Sequence, residues 1–168
     1  MDKGANWVEK IRKKNKKFKN VNLNLFGTNI DGHSVLIQRY LTPMQPPVFF
    51  NDKKDKLAAI ARFVSLIPFV EDIRLFEDLP NVYCTVQEFL DLGGGDYEEH
   101  AILLCNYFNY IDNSESNDGN KCESFLVYGT GMPEGHTVYV MRKFKFPKMS
   151  NNLSSEKGNI ELWCPITG

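Results

Sequence analysis

Four cysteines (Cys84, Cys105, Cys122 and Cys164) and three histidines (His33, His100 and His136) are the side chains of this 168-residue chain best suited to nucleophilic or metal chemistry. A thiolate paired with an imidazole attacks acyl groups, and closely spaced thiolates or imidazoles hold zinc. The cysteines are widely separated and form no Cys-x-x-Cys, so spacing supplies neither a zinc ribbon nor a thioredoxin-type redox pair, and they read as reduced thiols. The histidines show no paired spacing, and no metal or cofactor is expected. His100 lies beside Glu98 and Glu99, which predicts a surface ion pair. Gly93-Gly94-Gly95 lacks the Gly-Lys-Ser/Thr of a phosphate loop, and Asp96, Glu98 and Glu99 would repel a phosphate, which argues against nucleotide binding.

These groups must be carried by a small set of elements. After the glycines, Asp96 with Glu99 three residues later makes a helix cap whose carboxylates suit the positive end of a helix. The apolar stripe Tyr97, Ala101, Leu104, Cys105 and Phe108, broadened by Leu103 and Tyr107, predicts a central buried helix. Cys105 is eight residues beyond Tyr97, about 12 Å along the axis and too far from the dipole end to be activated, so it reads as core. After an Asn/Ser/Lys-rich loop at 112–121, three strands follow in SFLVYGT, HTVYVMRKFKF and NIELWCP, the last two separated by another such loop at 148–159. Cys84 and Cys122 fall in loop or strand-edge positions with no motif around them.

Upstream, Lys53–Leu66 carries Leu57, Ile60, Ala61 and Val64 at helical spacing, and Pro68 ends the amphipathic run. Thr85-Val86-Gln87-Glu88 is a capping-box pattern leading into a short helical turn. Alternating apolar runs around Asp31-Gly32 predict a β-hairpin near residues 21–41, and TPMQPPVFFND reads as an extended linker. One buried helix followed by strands is an α+β pattern.

Charge divides unevenly. Residues 1–20 hold eight Lys/Arg and two Asp/Glu, leaving 12 basic and 19 acidic residues, so the tail is about +6 and the body about −7. Trp7, Ile11 and Phe18 share a helical stripe among the lysines, which suits a frayed solvated tail or peripheral contact with an anionic membrane or acidic partner. The acidic body lacks the field of a nucleic-acid binder, and no nucleic-acid partner is expected. No apolar run approaches the roughly 20 residues that cross a bilayer, and no secretory signal follows Met1, so the expected location is intracellular.

ARFVSLIPF, CTVQEFLDLGGGDYEEHAILLCNYF, GTGMPEGHTVYV and LWCPITG, in that order, resemble the transglutaminase-like domain of the coiled-coil and C-two domain-containing family of the ciliary transition zone, a module that centrosomal relatives share. The preceding VLIQRYLTPMQPP is similar to the segment joining an upstream C-two domain to that module, so the resemblance covers roughly residues 35–168. It implies three regions: a basic tail at 1–20, a hairpin and proline-rich linker at 21–50, and the transglutaminase-like domain at 51–168. The implied fold is papain-like/transglutaminase-like, with a central helix packed on an antiparallel sheet, a hairpin and amphipathic helix before it, and a cleft at the helix N-terminus. Active members use Cys, His and Asp in that order.

Ala101 fits the alanine that follows the nucleophile by four positions, which puts Tyr97 in the nucleophile's place. Thr137 stands for the histidine and Cys164, before Pro165, for the aspartate. A phenol is a poor acyl-transfer nucleophile and threonine is no general base, so the resemblance implies a pseudoenzyme. The expected cleft residues are Tyr97, Glu98, His136, Thr137, Trp163 and Cys164. His136 is one residue from the vacant histidine position, and strand alternation points it away from the cleft unless a bulge intervenes. Three readings follow: an interaction or scaffolding module of basal body, transition zone or centrosome, whose partners are ciliary or centrosomal proteins, tubulin or peptide segments; a thiol peptidase or amidase with a displaced Cys164/His136 pair; and a spacer with no ligand.

Overall fold

The computed structural model describes residues 3–15, 25–47, 55–76, 81–115, 121–133, 135–145 and 159–168. The chain folds as an α+β molecule with two three-stranded sheets around one long helix. Helix α1 covers Lys3–Lys14, with Glu9 and Lys13 paired one turn apart on its exposed side. Phe18 and the Trp7 side chain lie outside the described residues, so the expected stripe is represented by Ile11 alone.

Strands β1 (Phe26–Asn29) and β2 (Ser34–Leu36) form the expected hairpin. The loop is longer than a two-residue turn. It is closed by the Asn29 N–H donating to the His33 carbonyl at 2.9 Å and the His33 N–H donating to Asn29 Oδ1 at 2.7 Å, with Gly32 at φ +75°. A 3₁₀ turn at Ile37–Tyr40 takes the place of the end of the second predicted strand. In the proline-rich segment, the Met44 N–H donates to the Asn106 carbonyl at 3.2 Å, while Asn106 Nδ2 donates to the Tyr40 carbonyl at 2.9 Å.

Helix α2 (Lys56–Ser65) buries Ile60, Ala61 and Val64, the stripe read from the sequence, and stops before Pro68. The short helix α3 (Asp72–Leu75) leads to β3 (Val82–Tyr83), which pairs in parallel with β1. Helix α4 (Val86–Leu92) opens with the predicted capping box, in which the Glu88 N–H donates to Thr85 Oγ1 and the Thr85 N–H donates to Glu88 Oε2. It ends at Gly93, whose φ of +69° is the left-handed C-cap that glycine adopts without strain.

Helix α5 (Tyr97–Glu115) is the centre of the molecule, and Ala101 through Phe108 are all buried. It extends four residues, 112–115, into the segment read as the start of an insertion loop; residues 116–120 and 148–158 of the predicted loops lie outside the described residues. Strands β4 (Lys121–Gly131), β5 (Gly135–Lys145) and β6 (Ile160–Trp163) form an antiparallel sheet in chain order. The register sets Val138 opposite Tyr128, Val140 opposite Leu126 and Trp163, and Arg142 opposite Ser124 and Glu161, and this row faces α5. Ile60, Val64, Phe89, Leu104, Phe108, Val138 and Val140 meet in one core.

Gly95 seats the start of α5. A Cβ there would lie 2.9 Å from the Phe89 ring and 3.1 Å from Glu99 Cβ. Gly95→Ala is expected to destabilise the fold by about 1–3 kcal/mol through overpacking, read as a lower midpoint in thermal denaturation. An unchanged midpoint would show that Phe89 has room to move.

Candidate functional site

The head of α5 is held by backbone and side-chain bonds to three neighbouring segments. Gly95 bridges Phe69, with the Val70 N–H donating to the Gly95 carbonyl at 2.9 Å. Asp96 Oδ1 accepts from the Glu98 N–H at 2.9 Å, satisfying one of the free donors of the first turn. Glu99 reaches back, accepting from the Asp96 N–H at 3.2 Å and from the Cys84 N–H at 3.2 Å, which ties β3 to α5. Asp72 of α3 accepts from the Val82 N–H at 2.5 Å.

Carboxylate oxygens of Asp72, Asp96 and Glu99 lie within 4.8 Å of one another and are the described residues able to hold a cation. Asp72 and Glu99 already accept from backbone N–H groups, which accounts for the cluster structurally. Crowding tells in their protonation. Burial, reinforced by the Asp96 charge, raises Asp72 to about 6. Burial and a hydrogen bond with Asp96 raise Glu98 to about 8, and burial with the Asp96 charge holds Glu99 well above the usual carboxyl range.

His100 is not in a surface ion pair. It is 1% exposed, with Nδ1 2.7 Å from the Asp96 carbonyl and Nε2 3.0 Å from the Ile67 carbonyl, and it packs against the Phe89 ring. The Phe69 and Phe89 rings pack around it, and backbone carbonyls take the place of the expected carboxylates.

Against this head lie β1, β3 and the ends of β4 and β5. Two cavities of about 530 and 290 Å³ share Asn81, Glu98, Tyr128, Gly129 and His136, and so form one continuous groove. Phe26, Gly27, Thr28 and Tyr83 wall its outer part, and Asp96, Tyr97, Thr137 and Val138 its inner part. The Tyr83 and Tyr128 side chains are hydrogen bonded to each other, and burial pushes Tyr83 up to about 12. The Tyr97 ring stands edge-on to Phe69 at 4.8 Å.

Of the six residues expected in a cleft, the groove brings together Tyr97, Glu98, His136 and Thr137. His136 does not point away. It lines both cavities, and Thr137, on the opposite phase of β5, lines the inner one, so both faces of this end of the strand border the groove. Trp163 and Cys164 do not line the groove. β6 pairs with the far half of β5, so Trp163 sits opposite Val140, edge-on to Phe108 at 5.3 Å, with Nε1 donating to Glu161. The half-buried Cys164 follows it, its carbonyl accepting from the Gly168 N–H at 3.1 Å. The sequence did not point to Asn81, Tyr83, Tyr128 or the β1 wall. The Pro80-Asn81 pair was the one local signal available, a turn pattern whose asparagine adopts a φ of +58°.

No Cys-His-Asp triad is assembled among the described residues. Tyr97 occupies the head of α5 and no thiol lines the groove. Cys84, Cys105 and Cys122 are buried, and burial pushes their thiols up to about 12, about 12 and about 11, with Glu99 adding to the effect at Cys84. Asn109 donates to the Cys105 sulfur at 3.4 Å. Such thiols are protonated and unreactive at neutral pH.

Comparison with known proteins agrees with this geometry. The profile of the CEP76 peptidase-like domain matches residues 81–168, from the turn before β3 through β6, about half of the chain. Protein CC2D2B of Homo sapiens is 34% identical over 145 residues, 83% of this chain and 9% of that protein, so the chain spans about 9% of the length of the curated relative it matches. No solved structure matches.

Proposed function

The chain belongs to the CEP76 peptidase-like domain family, and from that premise we propose that it is a non-catalytic interaction module whose former substrate cleft serves as a peptide groove. The observation that carries this reading is Tyr97 at the head of the central helix, inside a groove whose described lining contains no thiol. The fold is transglutaminase-like, with the catalytic constellation absent from the described residues. The hairpin contributes Phe26, Gly27 and Thr28 to the groove, which supports counting it with the module.

We extend the proposal to a cellular setting, a scaffold of the basal body, transition zone or centrosome with ciliary or centrosomal proteins or tubulin segments as partners, a reading supported by the 34% identity to CC2D2B. Lys10, Arg12, Lys13 and Lys14 of α1 suit peripheral contact with an anionic surface. Among the described residues no helix is long and apolar enough to cross a membrane.

The test is alkylation of the folded protein followed residue by residue with mass spectrometry, beside an assay for peptide hydrolysis and transamidation. Cys84, Cys105 and Cys122 are expected to react only as fast as the protein opens, with no turnover in either assay. Fast labelling of Cys164 at pH 6, slowed by His136→Ala and accompanied by turnover, would establish the thiol enzyme instead.

A further inference from the structure

The inner cavity of the groove is acidic without a balancing cation. Asp96 and Glu98 line it, Asp72 and Glu99 lie directly behind Asp96, and the described residues lining either cavity include no lysine or arginine. Tyr97 and Tyr128 line the same cavity, and Tyr83 lines the adjoining one. Aromatic faces beside carboxylates are the combination that attracts an organic cation.

A second observation is independent of charge. Thr137 lines this cavity, is 4% exposed, and its Oγ1 has no hydrogen-bond partner. A buried hydroxyl left without a partner marks a place where a ligand atom completes the bonding. Two carboxyls, a hydroxyl and tyrosine rings match a guanidinium better than an ammonium, because the planar guanidinium offers five donors and stacks on aromatic rings.

We propose that the inner cavity receives the guanidinium of an arginine carried by a partner polypeptide, bonded by Asp96, Glu98 and Thr137 and flanked by Tyr97 and Tyr128. The assignment rests on the peptide-groove reading and specifies its anchor. The protonation of Glu98 gives the site a signature. Its carboxyl, raised to about 8, faces Asp96 and Glu99 on α5, Asp72 on α3, Tyr83 on β3, Tyr128 on β4 and His136 on β5. A bound guanidinium draws the proton off, so affinity rises with pH up to about 8, by as much as about tenfold per pH unit.

The experiment titrates the folded chain with Ac-Gly-Arg-Gly-NH2 and its citrulline counterpart, followed by NMR shifts at Tyr97, Gly129 and Thr137, and adds a random-sequence peptide library. The arginine peptide is expected to bind about tenfold or more tightly than citrulline. Glu98→Gln abolishes that preference and the pH dependence, whereas His136→Gln leaves the pH dependence in place. Thr137→Val weakens arginine binding severalfold while keeping or raising the melting temperature, because it removes an unpartnered hydroxyl, and it serves if the Glu98 variant folds poorly. Equal binding of arginine and citrulline peptides, or an unchanged preference in both variants, overturns the guanidinium assignment. Library ligands without arginine that shift the same residues overturn it while leaving the groove reading intact, and a library with no ligand of any class overturns both.

Discussion

Arg142→Ala lowers the melting temperature of the folded chain by roughly 6–20 °C, the equivalent of about 3–5 kcal/mol in a domain of this size. Arg142 lies on the α5 face of β5 with its side chain 5% exposed. Nη2 donates to Asp112 Oδ1 at 2.6 Å and Nη1 to Glu161 Oε2 at 3.0 Å, so one guanidinium joins the C-terminal end of α5 to β5 and β6. The guanidinium carbon also stands 5.3 Å from the centres of the Phe108 and Phe144 rings. The pair is not worth its full Coulomb energy, because both charges were taken from water to make it. Truncation is costly for another reason: it removes the cation beside the Asp112 carboxylate, 9% exposed, and empties the space between the two rings. Arg142→Met fills that space, and Arg142→Met combined with Asp112→Leu also removes the buried carboxylate, so the double variant is expected to recover most of the loss. A midpoint within about 2 °C of wild type for Arg142→Ala would show that water reaches this end of α5.

The sequence disclosed these elements where the pattern was local. The apolar stripe of α5, the Thr85/Glu88 capping box and the alternating runs of β4, β5 and β6 are each patterns written within a few neighbouring positions. The groove does not have that property. Its walls come from β1, β3, α5 and the β4–β5 hairpin, and the parallel pairing of Thr28 with Val82 spans more than fifty positions of chain. Nothing in the spacing of FGTN announces that partner, so Phe26–Thr28 and Tyr83 were missed as lining. Trp163 and Cys164 were drawn toward the cleft by their position in a motif, whereas the register of β6 against Val140–Lys143 puts them beside Phe108 instead. Strand alternation puts His136 and Thr137 on opposite faces of β5, yet both line the groove, because it borders the Gly135 end of the strand on both sides. Family motifs place residues along the chain, and it is the packing face that decides which of them meet.

The domain is expected to lose stability as pH rises from 5 to 8, opposite to the usual behaviour of carboxyl groups paired with cations. Asp72, Glu98 and Glu99 are all raised above their unfolded values, first by burial and then by Asp96 beside them. In the unfolded chain these carboxyls lose their protons near pH 4, whereas in the folded chain Asp72 holds its proton to about 6 and Glu98 to about 8. Between those limits the folded state binds more protons than the unfolded state, so unfolding releases protons and a rise in pH favours it. The stabilisation from a raised carboxyl pKa is therefore largest relative to alkaline solution at the acid end of the window, and it is gone once pH passes the folded value. Asp72 alone accounts for on the order of 1–2 kcal/mol between pH 5 and pH 8, because the rest of its effect falls between pH 4 and pH 5. Asp72→Asn removes that proton-binding group while leaving an amide oxygen to accept from the Val82 N–H. Its midpoint relative to wild type is expected to be higher at pH 8 than at pH 5 by roughly 2–8 °C. Thermal denaturation of both proteins at pH 5, 6.5 and 8 and fixed ionic strength decides it. A wild-type midpoint that rises with pH, or an Asp72→Asn midpoint that falls relative to wild type from pH 5 to pH 8, would mean that the cluster holds its negative charge against a cation supplied from solution.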